Sequence, residues 1–236
     1  MRLYKFENDQ EDIPEWVKSS IISFKNTMLD DVNPFPCHFA KQGLENSTFR
    51  YTYINKEEIA TPKSFKSALV EYLKIYKTIE WPSVLVTFIQ TEGENSLESH
   101  EQNFWSILQY LNNEDHSEWP KSFPKDPDHH QWQFCFEGTP IFVNGHSSEY
   151  KNRLSRSSKC DMMMVIQTVD TLKPVSGTSK RSDRIRKTIR NRVNNYDKIE
   201  VSNLLGSYPN EDSREWKQFW LPDENVDKSR CPMHIK

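Results

Sequence analysis

The sequence predicts a single α+β domain over residues 1–236, with a mixed β-sheet, a central hairpin and several covering helices. Three observations carry this expectation. Segments with apolar residues at period two follow segments in which they recur every three or four residues. Two short strand-like runs, Trp132–Glu137 and Ile141–Val143, flank the turn signal Gly138-Thr139-Pro140. The 236 residues contain no internal repeat or low-complexity linker and suffice to bury a substantial core without disulfides or structural metals.

The elements follow in order. Ile13 to Leu29 reads as a helix, because Pro14 suits a first turn and Trp16, Ile21, Phe24 and Met28 share a face. Asn33-Pro34-Phe35-Pro36 breaks it, since prolines two apart hold the chain extended, and Cys37, His38, Phe39 and Ala40 follow that corner. Thr61-Pro62 opens a second helix with Phe65, Leu69, Tyr72, Leu73 and Tyr76 as its stripe, ended by Trp81-Pro82. Ser83 to Gln90 is a β-branched apolar run suited to a central strand. Asn95 to Asn113 is a third helix, and the polar, proline-bearing Glu114 to Gln131 is a loop. The hairpin comes next: Trp132, Phe134 and Phe136 alternate out of phase with Cys135, and Asn144-Gly145 is expected to end the second strand, leaving His146 in a loop. Asp161 to Val169 is a further buried strand. Ser179 to Asn195 is a strongly basic helix whose buried edge is Ile185, Ile189 and Val193. A short helix near Asp212 to Trp220 leads to a polar tail from about residue 222.

Composition narrows the functional classes. The hydrophobic fraction is 35% and mean hydropathy is −0.82, yet aromatics reach 12%, so an aromatic-rich core rather than disorder is expected. The net charge of −3 gives no general drive toward nucleic acid or anionic lipid. No apolar run approaches the roughly 20 residues that span a bilayer. Met1 to Gln10 lacks the apolar core of a signal peptide, so a cytoplasmic protein is expected. Cys37, Cys135, Cys160 and Cys231 form no C-x-x-C pair and are expected as free thiols. The motifs of P-loop enzymes, Rossmann dehydrogenases, zincins and α/β-hydrolases are absent from the sequence.

His146 is the sharpest candidate ligand, because imidazole is a common metal and haem ligand and one protein ligand can hold haem. Its plainer reading is a loop histidine bonded to a carbonyl. Adjacent His129 and His130 point apart in regular strand and suit an exposed loop pair. The basic helix reads as a solvated face; the alternative is that one or two of its arginines turn inward to meet a carboxylate, a cofactor propionate or a substrate anion.

Phe35-Pro36-Cys37-x-Phe39-Ala40, the block Trp132 to Arg156, and Glu215-Trp216-x-Gln218-Phe219 resemble the bacterial YqcI/YcgG family over nearly the whole chain. Some relatives in that family are haem-dependent oxygenases that hydroxylate a nitrogen, notably of guanidino groups such as that of arginine. The resemblance implies haem as cofactor and a small-molecule substrate, of the guanidino class in those relatives. It implies His146 as axial ligand, with Ser147 standing where relatives carry proline. It implies Arg153 or Arg156 as partners of the propionates, and Phe35 and Phe136 as apolar walls. A cationic substrate needs a carboxylate, and Glu137 and Asp161 are the nearest in sequence. The competing expectation is a non-catalytic small-ligand or protein-binding module in which His146 is structural. Haem absorbance separates the two.

Overall fold

The computed structural model describes residues 2–7, 12–93 and 95–236, and the side chain of His38 lies outside that description, as does part of the Met1–Gln10 segment. Among the described residues the strands are β1 (Tyr4–Lys5), β2 (Arg50–Ile54), β3 (Leu85–Ile89), β4 (Cys135–Phe136), β5 (Thr139–Ser147) and β6 (Met162–Thr168). The helices are α1 (Glu15–Met28), α2 (His38–Glu45), α3 (Lys63–Ile75), α4 (Leu97–Glu114), α5 (Val169–Leu172), α6 (Lys180–Tyr196) and α7 (Trp216–Phe219). The strands form one mixed sheet in the order β1-β2-β3-β6-β5-β4, as the α+β expectation requires.

β3 is buried along its whole length, which its β-branched composition on both faces predicts. It pairs parallel with β2 and antiparallel with β6. Its alternate residues feed two cores. Leu85 and Ile89 join Phe65, Leu69 and Tyr72 of α3, Phe104 and Leu108 of α4, and Trp216 and Phe219 of α7. Val86 and Phe88 join Val17 and Phe24 of α1 with Tyr51 and Tyr53 of β2. The sheet is therefore a partition between two apolar compartments.

Two strand ends differ from the sequence expectation. The hairpin turn is Glu137-Gly138, with φ of 49° and 65°, the left-handed pair of a type I′ turn, and Thr139-Pro140 already belong to β5. Asn144-Gly145 does not end the second strand. β5 continues to Ser147 because β6 is long enough to pair with it from Ile141↔Thr168 to Ser147↔Met162. Gly145 is needed there for close approach rather than for a turn, since a Cβ at this position would lie 2.3 Å from Cε3 of Trp220. His146 thus sits inside a strand, opposite Met163.

Both β2 and α2 lie beyond what the sequence pattern foresaw. In α6, Val193 is buried, Ile185 and Ile189 are half-buried, and Lys180, Arg181, Arg184, Lys187 and Arg192 are exposed. Arg186 donates to the carbonyls of Val175 and Gly177, and Arg190 donates to that of Leu205. The C-terminal segment packs back on the domain: Cys231 and Met233 are buried in the first core, and Asp223 accepts the backbone N–H groups of Asn152 and Arg153. No helix among the described residues is long and apolar enough to cross a membrane.

Candidate functional site

Because side chains alternate across a strand, Asn144 and His146 of β5 and Met163, Val165 and Gln167 of β6 project to the side away from the α3–α4 core, joined by Phe142, whose ring also packs edge-on against Phe219 of that core. They form one wall of a cavity of about 350 Å³. Phe24 and Met28 of α1 close one flank, and Phe35, Cys37 and Phe39 close another. α6 covers it with Arg186, Ile189, Arg190 and Val193. Gln133, Tyr208, Glu215 and Gln218 also line it. Its volume and its mostly apolar lining with a few polar groups match a small-molecule site.

His146 is 6% exposed, and its Nδ1 has no hydrogen-bond partner. Burial, with the Arg156 charge adding to it, pushes its pKa down to about 3, so the ring is neutral at physiological pH. A neutral imidazole in a cavity wall has the protonation state that metal ligation needs.

Arg156 is 8% exposed and donates to the carbonyls of Gln218 at 2.9 Å and of Gly145 and Phe219 at 3.3 Å. It fastens the C-terminal carbonyls of α7 to β5. Arg153, 1% exposed, donates to the Pro222 carbonyl at 2.7 Å and to Asn225 Oδ1 at 2.9 Å, and its Nη1 lies 4.0 Å from Asp197. Both arginines line the cavity, but their guanidinium groups are largely engaged by the protein itself.

Phe35 lines the cavity and packs edge-on against Tyr196 at the end of α6. Phe136 does not: with Trp132 and Phe134 it is buried in the core under α4 and α7, on the other side of the sheet. The aromatic face of the hairpin turns inward because that larger core buries more area, and Gln133, out of phase with it, faces the cavity. Glu137 lies exposed at the hairpin turn, and Asp161 accepts from the backbone N–H and the hydroxyl of Thr91, so neither is a cavity carboxylate. His129 and His130 stack on each other outside the cavity, and α2 begins at His38, whose neighbours Cys37 and Phe39 line it.

Sequence reasoning missed Glu215. It is 6% exposed, lines the cavity, and burial pushes its pKa up to about 8 while the Gln133 side chain pulls the other way. The residue stood in the quoted Glu-Trp-x-Gln-Phe run, but nothing in that run signals that its carboxyl is buried.

A second polar cluster is structural. The Ser147 hydroxyl lies 2.7 Å from His100 Nδ1, and Thr91 lies 3.4 Å from His100 Nε2 and donates to Asp161 at 3.2 Å. Ser147 and His100 are fully buried, neither lines the cavity, and the backbone N–H of Glu149 donates into the serine oxygen. The cluster ties the end of β5 to α4. No group of three or more His, Cys, Asp or Glu among the described residues is arranged to hold a metal ion.

The profile of the YqcI/YcgG family matches residues 24–234. The chain belongs to the YqcI/YcgG family. Among YqcI/YcgG relatives, Bacillus subtilis (strain 168) YcgG is 32% identical over 231 residues, covering 96% of this chain and 91% of that protein. YqcI of the same organism is 30% identical over the same shares. A Streptomyces lavendulae protein named "Putative N(omega)-hydroxy-L-arginine synthase DcsA" is 25% identical over 236 residues, covering 96% of this chain and 87% of that one. No solved structure matches.

Proposed function

We propose that this YqcI/YcgG protein is a haem-dependent oxygenase that hydroxylates a nitrogen of a small guanidino compound. The observation that carries the reading is the apolar cavity of about 350 Å³ with a buried, neutral, partnerless imidazole in its wall. The name of the S. lavendulae relative supplies the reaction class. When bound, haem iron supplies the activation of dioxygen.

The chain's own residues have separate tasks. Phe24, Phe35, Phe39 and Phe142 exclude water from the cavity. His146 is the iron ligand that the sheet wall offers, and pairing with Met163 fixes its backbone. A ligating histidine usually donates through its other ring nitrogen, and no acceptor serves Nδ1 of His146. Arg153 and Arg156 set a positive potential, whereas direct pairing with propionates falls to Arg190, which gives one donor to the Leu205 carbonyl and lines the cavity.

Haem titration followed by absorbance tests the reading. We expect a Soret band at about one haem per chain and, with a reductant and dioxygen, conversion of L-arginine to a hydroxylated product. His146→Ala should shift or abolish the band. If the His146→Ala protein binds haem with an unchanged spectrum, the ligand assignment is wrong. A wild-type chain that gives no specific Soret change in excess haem overturns it.

A further inference from the structure

Two oxygens in the cavity wall lack partners. Oε2 of Glu215 accepts no hydrogen bond, nor does Oε1 of Gln133, and the residues are 6% and 3% exposed. Both side chains line the cavity and touch each other. Buried acceptors are normally satisfied, and an unsatisfied one in a cavity wall calls for an explanation, of which a ligand that completes it is one. The cavity thus holds a donor-poor corner whose two free atoms both accept.

We propose that Glu215, with the Gln133 amide oxygen beside it, is the recognition site for a guanidinium group on the ligand of this cavity. The choice of ligand class rests on the reading of the cavity given above. The acceptor pattern favours guanidinium over ammonium: a planar fork of five N–H donors serves a carboxylate and a neighbouring amide oxygen together, while a compact ammonium is more strongly hydrated and harder to strip of water.

The site also has a protonation signature. With the cavity empty, burial holds the Glu215 carboxyl near a pKa of about 8, so it is mostly protonated at pH 7. The titratable groups that feel it are Cys135 of β4 and Tyr208 of the loop before α7, both pushed up by burial and neutral at pH 7. A bound guanidinium favours the carboxylate, so the carboxylic acid ionises on binding and its proton leaves to solvent. At pH 7 the release approaches one proton per ligand, and apparent affinity rises with pH up to about 8.

The test is calorimetry on the full-length chain with L-arginine and with L-citrulline, which replaces the guanidinium by a neutral urea. Wild type should prefer L-arginine, and buffers of different ionisation enthalpy should report proton release near one. Glu215→Gln should weaken L-arginine roughly 10- to 100-fold, as expected for a lost charge-assisted bond, and leave L-citrulline nearly unchanged. The inference is overturned by no preference in wild type, by no L-arginine binding at millimolar concentration, or by unchanged L-arginine affinity in the variant. If the variant does not fold, proton release in wild type decides, and a value near zero overturns the assignment. The haem result is independent. A wild-type chain with no Soret band but a clear L-arginine preference loses the oxygenase reading and keeps this one, and the reverse pattern does the opposite.

Discussion

Two buried groups with opposite charge chemistry give the cavity a testable pH signature. His146 is held near pKa 3 against an ordinary value of 6.5. The unfolded chain takes up this proton as pH falls below 6.5 and the folded chain does not, so the histidine withdraws stability progressively down to about pH 3. Glu215 is held near 8 against 4.5. The folded chain keeps this proton while the unfolded chain loses it, so the carboxyl withdraws stability as pH rises from 4.5 to about 8. At about 1.4 kcal/mol per pH unit, moving from pH 7 to pH 5 costs about 2 kcal/mol through the histidine and returns about 2 kcal/mol through the carboxyl. The two slopes nearly cancel in the wild type and separate in single variants. Urea unfolding of wild type, His146→Gln and Glu215→Gln at pH 5 and pH 7 measures them. Relative to wild type, His146→Gln should gain about 2 kcal/mol on going to pH 5, and Glu215→Gln should gain about as much on going to pH 7, each a midpoint shift of about 1 M. Parallel pH profiles for all three proteins would refute the burial of both groups.

Three other outcomes are expected. Gly145→Ala forces a methyl group against Trp220 and should cost about 1–3 kcal/mol, seen as a lowered Tm. Arg156→Met strands the carbonyls of Gly145, Gln218 and Phe219 and should cost about 3 kcal/mol, measured by urea unfolding; a loss under 1 kcal/mol would mean that the clamp on α7 is idle. Duplex DNA should bind the exposed cations of α6 weakly and release at moderate salt, and salt-resistant binding in a fluorescence anisotropy titration would contradict a merely solvated face.

The long periodic elements were legible in the sequence. The stripes of α1, α3 and α4, the runs that became β3 and β6, and the aromatic alternation before β4 all announced themselves. β2 was not legible, because Arg-Tyr-Thr-Tyr-Ile becomes a strand through its parallel pairing with β3, a contact between distant parts of the chain. The extent of β5 was misjudged at Asn144-Gly145, where a local turn signal yielded to a long partner strand and to the packing of Trp220. Among the site residues, His146, Phe35, Arg153 and Arg156 reach the cavity, with both arginines also bonded within the protein, but Phe136 turns away from it. Glu215 and Gln133 were invisible because their meaning is burial without partners, and no local pattern encodes burial.

The partition made by the sheet has an evolutionary consequence. Residues 141, 143, 162, 164 and 166 hold the dry side together, while 142, 144, 146, 163, 165 and 167 meet whatever occupies the cavity. The two sets interleave along the same two strands and meet only at Phe142, whose ring packs edge-on against Phe219 of the dry side. Selection can therefore rewrite ligand choice at 144, 146 and 167, which belong to neither apolar core, while the alternate positions keep the scaffold folded, so lineages with different chemistries can descend from one backbone.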